Sequence, residues 1–421
     1  MISQIIFILI TAAATWWFVK SIGTIRRNIN MGRPLNLSDN RGQRLKTMTL
    51  VALGQSKMVV RPVAGFFHIL VYVGFVLINI EVLEILLDGI LGTHRLFSPL
   101  GTIYNIAIAF FEILGVGVIL ACAIFLIRRN IAKVKRFSGT EMKGFPILDA
   151  NAILITEIVL MIALLVMNAA DNSISGMPVS GLLKPLFAGW SEEGLHTLMM
   201  ACWWLHWIGI LIFLNYVPYS KHLHIIMAFP NTYFSNLNPK GKFENMASVT
   251  TEVQLMLDPN AQPPEGYEPP AGFGVKDVTD LTWKHLMEAY SCTECGRCTS
   301  VCPANITGKM LSPRKIMMDT RDRIEELGKA KTANGKDFHD GKSLHDRISA
   351  EELWACTTCN ACAEACPVNI SPVDIIMQMR QYVVMEQSAA PSELNGMLTN
   401  LENNGAPWQF SPMDRANWTN S

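Results

Sequence analysis

Eight of the ten cysteines in this 421-residue chain fall in two short runs whose spacing is that of iron–sulfur ligands. Cys292, Cys295, Cys298 and Cys302 precede Pro303, and Cys356, Cys359, Cys362 and Cys366 precede Pro367. Both runs read C-x2-C-x2-C-x3-C-P. Three thiolates so spaced can wrap one face of an iron–sulfur cube, while the fourth, set off by the longer gap and the proline, points to the other cube. The expected partition is Cys292, Cys295, Cys298 and Cys366 on one [4Fe–4S] cluster, and Cys356, Cys359, Cys362 and Cys302 on the second. Tetrahedral zinc usually takes two C-x2-4-C pairs or Cys with His, a different pattern. Tight clusters of four also fit metal ligation in a reducing compartment better than disulfides. Cys122 and Cys202 lie in apolar runs and read as inert packing residues.

Three histidines form a second set, because a coordinating residue inside a bilayer is costly and therefore a functional candidate. They are His68, His206 and His224. On one continuous helix, the 18-residue separation of His206 and His224 makes five turns and puts both on the same face, roughly 27 Å apart. They would then serve different sites, one outer and one inner. His68 follows Pro62 by six residues, which places it at the depth of His224. A b haem held by His68 and His224 between two helices is the natural reading, since bundle cores bind cofactors through facing side chains. His222, two residues before His224, is expected on an outward polar face beside Lys221. Glu81, Glu84 and Glu112 fall toward the outer side of apolar stretches and Glu157 nearer the inner side. They suit either helix-to-helix hydrogen bonding or proton handling for a quinone.

Long apolar helices must hold these residues. Half the chain is hydrophobic and its mean hydropathy is +0.25. Five stretches, at about 2–20, 63–90, 104–127, 150–170 and 196–219, reach the roughly 20 residues needed to cross a bilayer. The first has no basic residue before its apolar run and is followed by Lys20, Arg26 and Arg27, so it reads as an anchor rather than a signal peptide. Lys and Arg number nine in 20–62 and six in 128–149, whereas 91–103 and 171–195 carry only Arg95 and Lys184. That asymmetry puts the N-terminus outside and everything beyond about residue 220 in the cytoplasm. Net charge is zero, which gives no reason to expect a nucleic-acid partner.

The expected organisation is mainly α: a transmembrane haem-binding bundle over 1–229, a linker over 230–280 containing Pro269 and Pro270, a two-cluster helical domain over 281–388, and a loosely ordered tail over 389–421. Trp408 and Trp418 in the tail are candidate docking points. No G-x-G-x-x-G after a strand, P-loop or nucleophile elbow occurs, so no nucleotide or soluble-substrate site is expected.

The roughly fifty residues between the cysteine runs, with helix-forming stretches such as 312–327, and the 375–380 helix after the second run resemble the helical ferredoxin module of succinate dehydrogenase and heterodisulfide reductase iron–sulfur subunits. Phe67-His68-Ile69, Leu205-His206 and Pro218-Tyr219-Ser220-Lys221-His222-Leu223-His224-Ile225 resemble the di-haem cytochrome b subunit of respiratory nitrate reductase. That resemblance implies an inner haem on His68 and His224 and an outer haem on His206. The outer haem's other ligand is expected about ten residues after His68, where the chain has Ile78 and Asn79. Either Met161 or Met167 takes that place, or His206 only hydrogen-bonds within the bundle. A cytochrome b-like bundle followed by a two-cluster ferredoxin is similar to heterodisulfide reductases and the membrane-bound electron-transfer-flavoprotein:quinone oxidoreductase. In those enzymes a cysteine-rich CCG-type domain follows. The chain stops short of one, so the resemblance implies a separate CCG-domain subunit as partner, with an electron-transfer flavoprotein or an organic-acid dehydrogenase as donor. Two functions follow: an inner-membrane electron-transfer subunit linking a cytoplasmic redox partner to quinone, or an iron–sulfur membrane scaffold or redox sensor without quinone chemistry.

Overall fold

The computed structural model describes residues 1–174, 176–239, 241–243, 245–267, 272–411 and 413–420. Pro269 and Pro270 lie outside the described residues. Helices dominate, and the only β pairing among the described residues is an isolated bridge between Arg33 and Thr282.

Five helices are long and apolar enough to cross a membrane: α1 (Ile2–Ile29), α3 (Pro62–Leu91), α4 (Thr102–Asn130), α5 (Phe145–Ala170) and α6 (Glu192–Tyr216). A short polar helix, α2 (Arg41–Met48), lies between the first two. Pro62 starts α3 at its first turn, where a missing N–H costs nothing, and Gly92 ends it at φ 73°. The spans pack in sequence order, α3 on α4, α4 on α5 and α5 on α6, with α1 laid across α3 and α6. Gly209 lets α6 approach α5 closely, since a Cβ there would meet Leu160 Cδ2 at 2.6 Å. Cys122 and Cys202 are buried in this core. Large apolar side chains such as Leu9, Phe66, Ile103, Ile155 and Ile212 face outward, as a bundle solvated by lipid requires.

One continuous helix through His206 and His224 does not form. α6 stops at Tyr216, a 3-10 turn covers Val217–Tyr219, and the chain is extended at Ser220. Pro218 breaks the ladder and the Ser220 hydroxyl accepts from the His222 N–H, capping a second short turn, Lys221–Leu223. A new helix, α7 (His224–Tyr233), begins at the ligand candidate itself.

The cysteine domain comprises α8 (Trp283–Ser291), α9 (Arg297–Val301), α10 (Pro313–Asn334), α11 (Ala361–Ala365) and α12 (Pro372–Met385). It sits on the bundle end that carries the Lys- and Arg-rich loops. Ile25, Ala52, Val217, Leu223 and Met227 from the bundle side share one apolar core with Leu286, Ile316, Ile375 and Met379. Asn28 donates to the Tyr290 hydroxyl at 3.0 Å, and Trp283 donates to the Leu35 carbonyl at 2.9 Å. The stretch expected as a linker includes a helix, Ala247–Leu257, and its end is packed: Val275 and Val278 are fully buried. The tail forms a helix, Ser392–Asn404, and exposes both Trp408 and Trp418.

Candidate metal centres

The two cysteine runs adopt the same backbone course. The residue before each second cysteine, Glu294 and Thr358, has positive φ, as does the residue after it, Gly296 and Asn360. Non-glycine residues tolerate that conformation only when their surroundings impose it. Gly296, at φ 67°, also has the Arg314 guanidinium where a Cβ would stand, at 2.5 Å. Each loop then runs into a short helix, α9 or α11, and these two helices pack together.

Cys292, Cys295 and Cys298 line one cavity together with Cys362 and Cys366 from the other run. Among the described residues, no three His, Cys, Asp or Glu side chains converge as they would on one small ion. Burial and then the neighbouring thiols push Cys298 well above the ordinary thiol range, while burial takes Cys362 up to about 12, with Cys356 and Cys302 adding to it. Such thiols release their protons only to a cationic centre, and the donor set fits iron–sulfur cubes. Cys359 is exposed, whereas Cys292, Cys302 and Cys362 are buried.

At the top of the bundle the rings of His68 and His224 stand 6.4 Å apart, centre to centre. Two imidazoles hydrogen-bonded directly would lie closer, at about 5.2 Å. Rings sharing one axial metal ion, with metal–nitrogen bonds of about 2 Å, would lie about 6.3 Å apart. His224 donates Nδ1–H to the Lys221 carbonyl at 3.0 Å, leaving Nε2 as its free ligand atom. His68 and His224 are thus the residues that would hold a metal here through their ring nitrogens. His222 is not on an outward face. Its ring packs 5.2 Å from Phe213 and 5.5 Å from His224, because the 3-10 turn changes the phase that helical spacing assumes. Burial, then the rings of His224 and His68, push His222 down to about 3, so it is neutral.

Both turns bearing this histidine pair are tied to the first cysteine loop. Lys221 Nζ donates to Glu294 at 2.6 Å, and Arg321 donates to the other oxygen of the same carboxylate at 2.9 Å. Burial alone would raise the Glu294 carboxyl, but Lys221 and Arg321 outweigh it and hold it below its ordinary value. Lys221 N–H and the Tyr216 hydroxyl both donate to Asp149. On the His68 side, Arg297 donates to the Lys57 carbonyl at 2.7 Å, Arg61 to Ser300 Oγ at 2.7 Å, and Lys57 to the Cys366 carbonyl at 3.2 Å. The sequence did not single out Glu294, although an acidic residue inside a metal loop was a visible signal.

His206 stands apart from that pair. It is 1% exposed, donates Nδ1–H to the Leu160 carbonyl at 2.9 Å, and leaves Nε2 without a partner. It lines a cavity with Ile78, Asn79, Glu157 and Met161. Met167 belongs to the packed core instead. Glu81, Glu84 and Glu112 are buried at the far end, where Arg95 donates to Glu81 and Asp171, each at 3.1 Å, and to Asn168 at 2.6 Å. Tyr104 donates to Glu84 at 2.9 Å, and Glu112 accepts the Val179 and Ser180 N–H groups, each at 3.0 Å.

A helical bundle of membrane-span length thus carries two cysteine loops of the kind that hold [4Fe–4S] clusters. Residues 291–370 match the family model of the 4Fe-4S dicluster domain. The chain is 27% identical, over 99% of its length, to the probable iron-sulfur-binding oxidoreductase FadF of Bacillus subtilis, covering 60% of that protein. It is 26% identical, over 91% of its length, to the EtfAB:quinone oxidoreductase of Syntrophomonas wolfei, covering 55% of it. A probable membrane-anchored ferredoxin of Chromohalobacter salexigens is 33% identical over 35% of the chain and 24% of that protein. The chain thus spans less than two thirds of the length of these curated relatives. No solved structure matches.

Proposed function

We propose that this chain is the membrane electron-transfer subunit of a quinone-linked oxidoreductase, connecting a cytoplasmic redox partner with the membrane quinone pool. Cys292, Cys295, Cys298 and Cys366 would hold one [4Fe–4S] cluster and Cys302, Cys356, Cys359 and Cys362 the other. His68 and His224 would hold a b haem at the inner end. These groups supply one-electron relay chemistry when bound.

The observation that carries the reading is the double attachment of the first cysteine loop: Glu294 grips the turn leading to His224, while Arg297 and Ser300 grip the segment leading to His68. One loop therefore sets the position of both histidines relative to the first cluster's thiols. Arg61 and Arg297 bring positive charge to the same rim, which suits the carboxylates of a haem. The exposed Cys359 marks the second cysteine run as the side open to a soluble partner. The similarity to a protein named EtfAB:quinone oxidoreductase supports an electron-transfer flavoprotein, or a CCG-domain iron–sulfur subunit between it and this chain, as that partner. The excess of Lys and Arg in the loops beneath the cysteine domain supports a cytoplasmic location for that domain and an N-terminus outside.

A dithionite-reduced minus oxidised spectrum of the purified chain tests the haem assignment. A b-type band is expected, with loss of that band in His68→Ala at unchanged iron–sulfur content. A full complement of iron–sulfur clusters with no band at all would leave an iron–sulfur scaffold or sensor as the better description.

A further inference from the structure

The cavity beside His206 has a different character from the inner histidine pair. Its walls come from four helices: Val71, Gly74 and Ile78 on α3, Val118 on α4, Leu160 and Met161 on α5, and His206 and Phe213 on α6, around a space partly open to the outside. Phe75 and Asn79, also in its wall, are exposed on the outside of the bundle. The cavity therefore opens sideways toward lipid, between the apolar side chains that face the bilayer.

Its polar content is sparse. His206 Nε2 is buried and unpartnered, and because Nδ1 already donates to a carbonyl, the neutral ring offers Nε2 as an acceptor. Glu157 is the only other ionisable side chain in the wall, and no Lys or Arg contributes. A buried acceptor left unsatisfied costs about 1–3 kcal/mol, so this nitrogen is expected to meet a ligand. A haem would bring two carboxylates that nothing in this wall neutralises, and no second histidine opposes His206. A flat, uncharged, lipid-soluble ring with a hydroxyl or carbonyl at each end fits the opening, the apolar walls and the two polar groups.

We propose that this cavity is the quinone-binding site, with the headgroup entering from the bilayer past Phe75. His206 Nε2 accepts a hydrogen bond from one quinol hydroxyl, and Glu157 provides the second polar contact. The position suits the task. Gly74 lies six residues beyond His68 on α3, about 9 Å along the helix. Phe213 spans the gap on the other side, lining the cavity while its ring packs 5.2 Å from His222. This inference rests on the quinone-linked reading given above and specifies where that chemistry takes place.

Binding of a short-chain quinol analogue to the full chain in lipid nanodiscs, followed by calorimetry, tests it. The wild type is expected to bind one equivalent. His206→Ala should weaken binding at least about tenfold, roughly 1.4 kcal/mol. Gly74→Phe, which fills the cavity without removing a polar atom, should abolish it. In both variants the b-type band assigned to His68 and His224 and the iron content serve as the controls for folding. Binding that survives both substitutions overturns the cavity assignment alone. No binding by the wild type overturns the quinone reading itself. If His206→Ala instead lowers the haem content from two to one per chain, the cavity is a second haem site and the proposal is wrong.

Discussion

The two ends of the helical bundle both bury charge, but they use it differently. At the end away from the cysteine domain, Arg95 draws Glu81, Asp171, Asn168 and Tyr104 together. Asp88 adds a carboxylate that accepts the Arg95 and Leu96 N–H groups. Most buried polar atoms there have a protein partner, with Glu81 Oε2 and Ser180 Oγ the exceptions among the described residues. At the end under the cysteine domain, His68 Nδ1 has no partner, and its ring lies 6.4 Å from that of His224. A satisfied network closes the helix ends, while unsatisfied nitrogens in a packed interior point to ligands. Buried polarity is thus a clue to function only after its hydrogen bonds have been counted.

The strongest way to break this contrast is at Arg95. Arg95→Ala leaves the Glu81 carboxylate buried beside no cation and Asp171 with only the His94 imidazole, a loss expected to cost about 3–5 kcal/mol. Thermal unfolding in detergent should show the destabilisation, while iron content and the His68-dependent band persist in the protein that remains folded. Loss of the band with unchanged stability would reverse the roles assigned to the two ends.

A smaller effect is expected where the cysteine domain meets the bundle. Glu294→Gln keeps the side-chain shape but removes the charge facing Lys221 and Arg321, costing about 2 kcal/mol. The folded carboxyl is held below its ordinary value. Its stabilising contribution is therefore complete above the unfolded-state value of about 4.3 and disappears as pH falls through the lower folded one. Acid titration of stability should show this loss in the wild type and not in Glu294→Gln. The smallest effect is expected at Cys122, fully buried in the bundle. Cys122→Ala should cost about 1 kcal/mol and leave the iron content untouched, whereas Cys298→Ala should remove a cluster.

Periodicity and spacing made much of this legible. The five apolar runs became five helices, the first continuing to Ile29 and the fourth beginning at Phe145. His68 and His224, paired on depth alone, lie with their rings 6.4 Å apart. What failed was the helical wheel beyond Pro218, because phase is meaningful only on an unbroken helix. The signal was present: a proline followed by Ser220, a capping residue, two positions later. Arg95 could not be interpreted from sequence beyond counting it as a loop charge, since its partners lie 7–76 positions away and come from three spans, α3, α4 and the end of α5. Contacts of that range are fixed by packing, and local patterns do not encode them.

The apolar core that runs unbroken from Ile25 and Val217 into the cysteine domain has a kinetic meaning. Two modules glued by a shared interior do not diffuse apart and meet again, so any exchange between the cysteine loops and the inner histidines occurs at constant separation. It should behave as a first-order event, indifferent to protein concentration, solvent viscosity and ionic strength. Under the proposed function the exposed side around Cys359 is where a separate protein would arrive by diffusion, and there screening by salt should slow the encounter. Salt sensitivity would therefore locate the slow step on one side of that seam or the other.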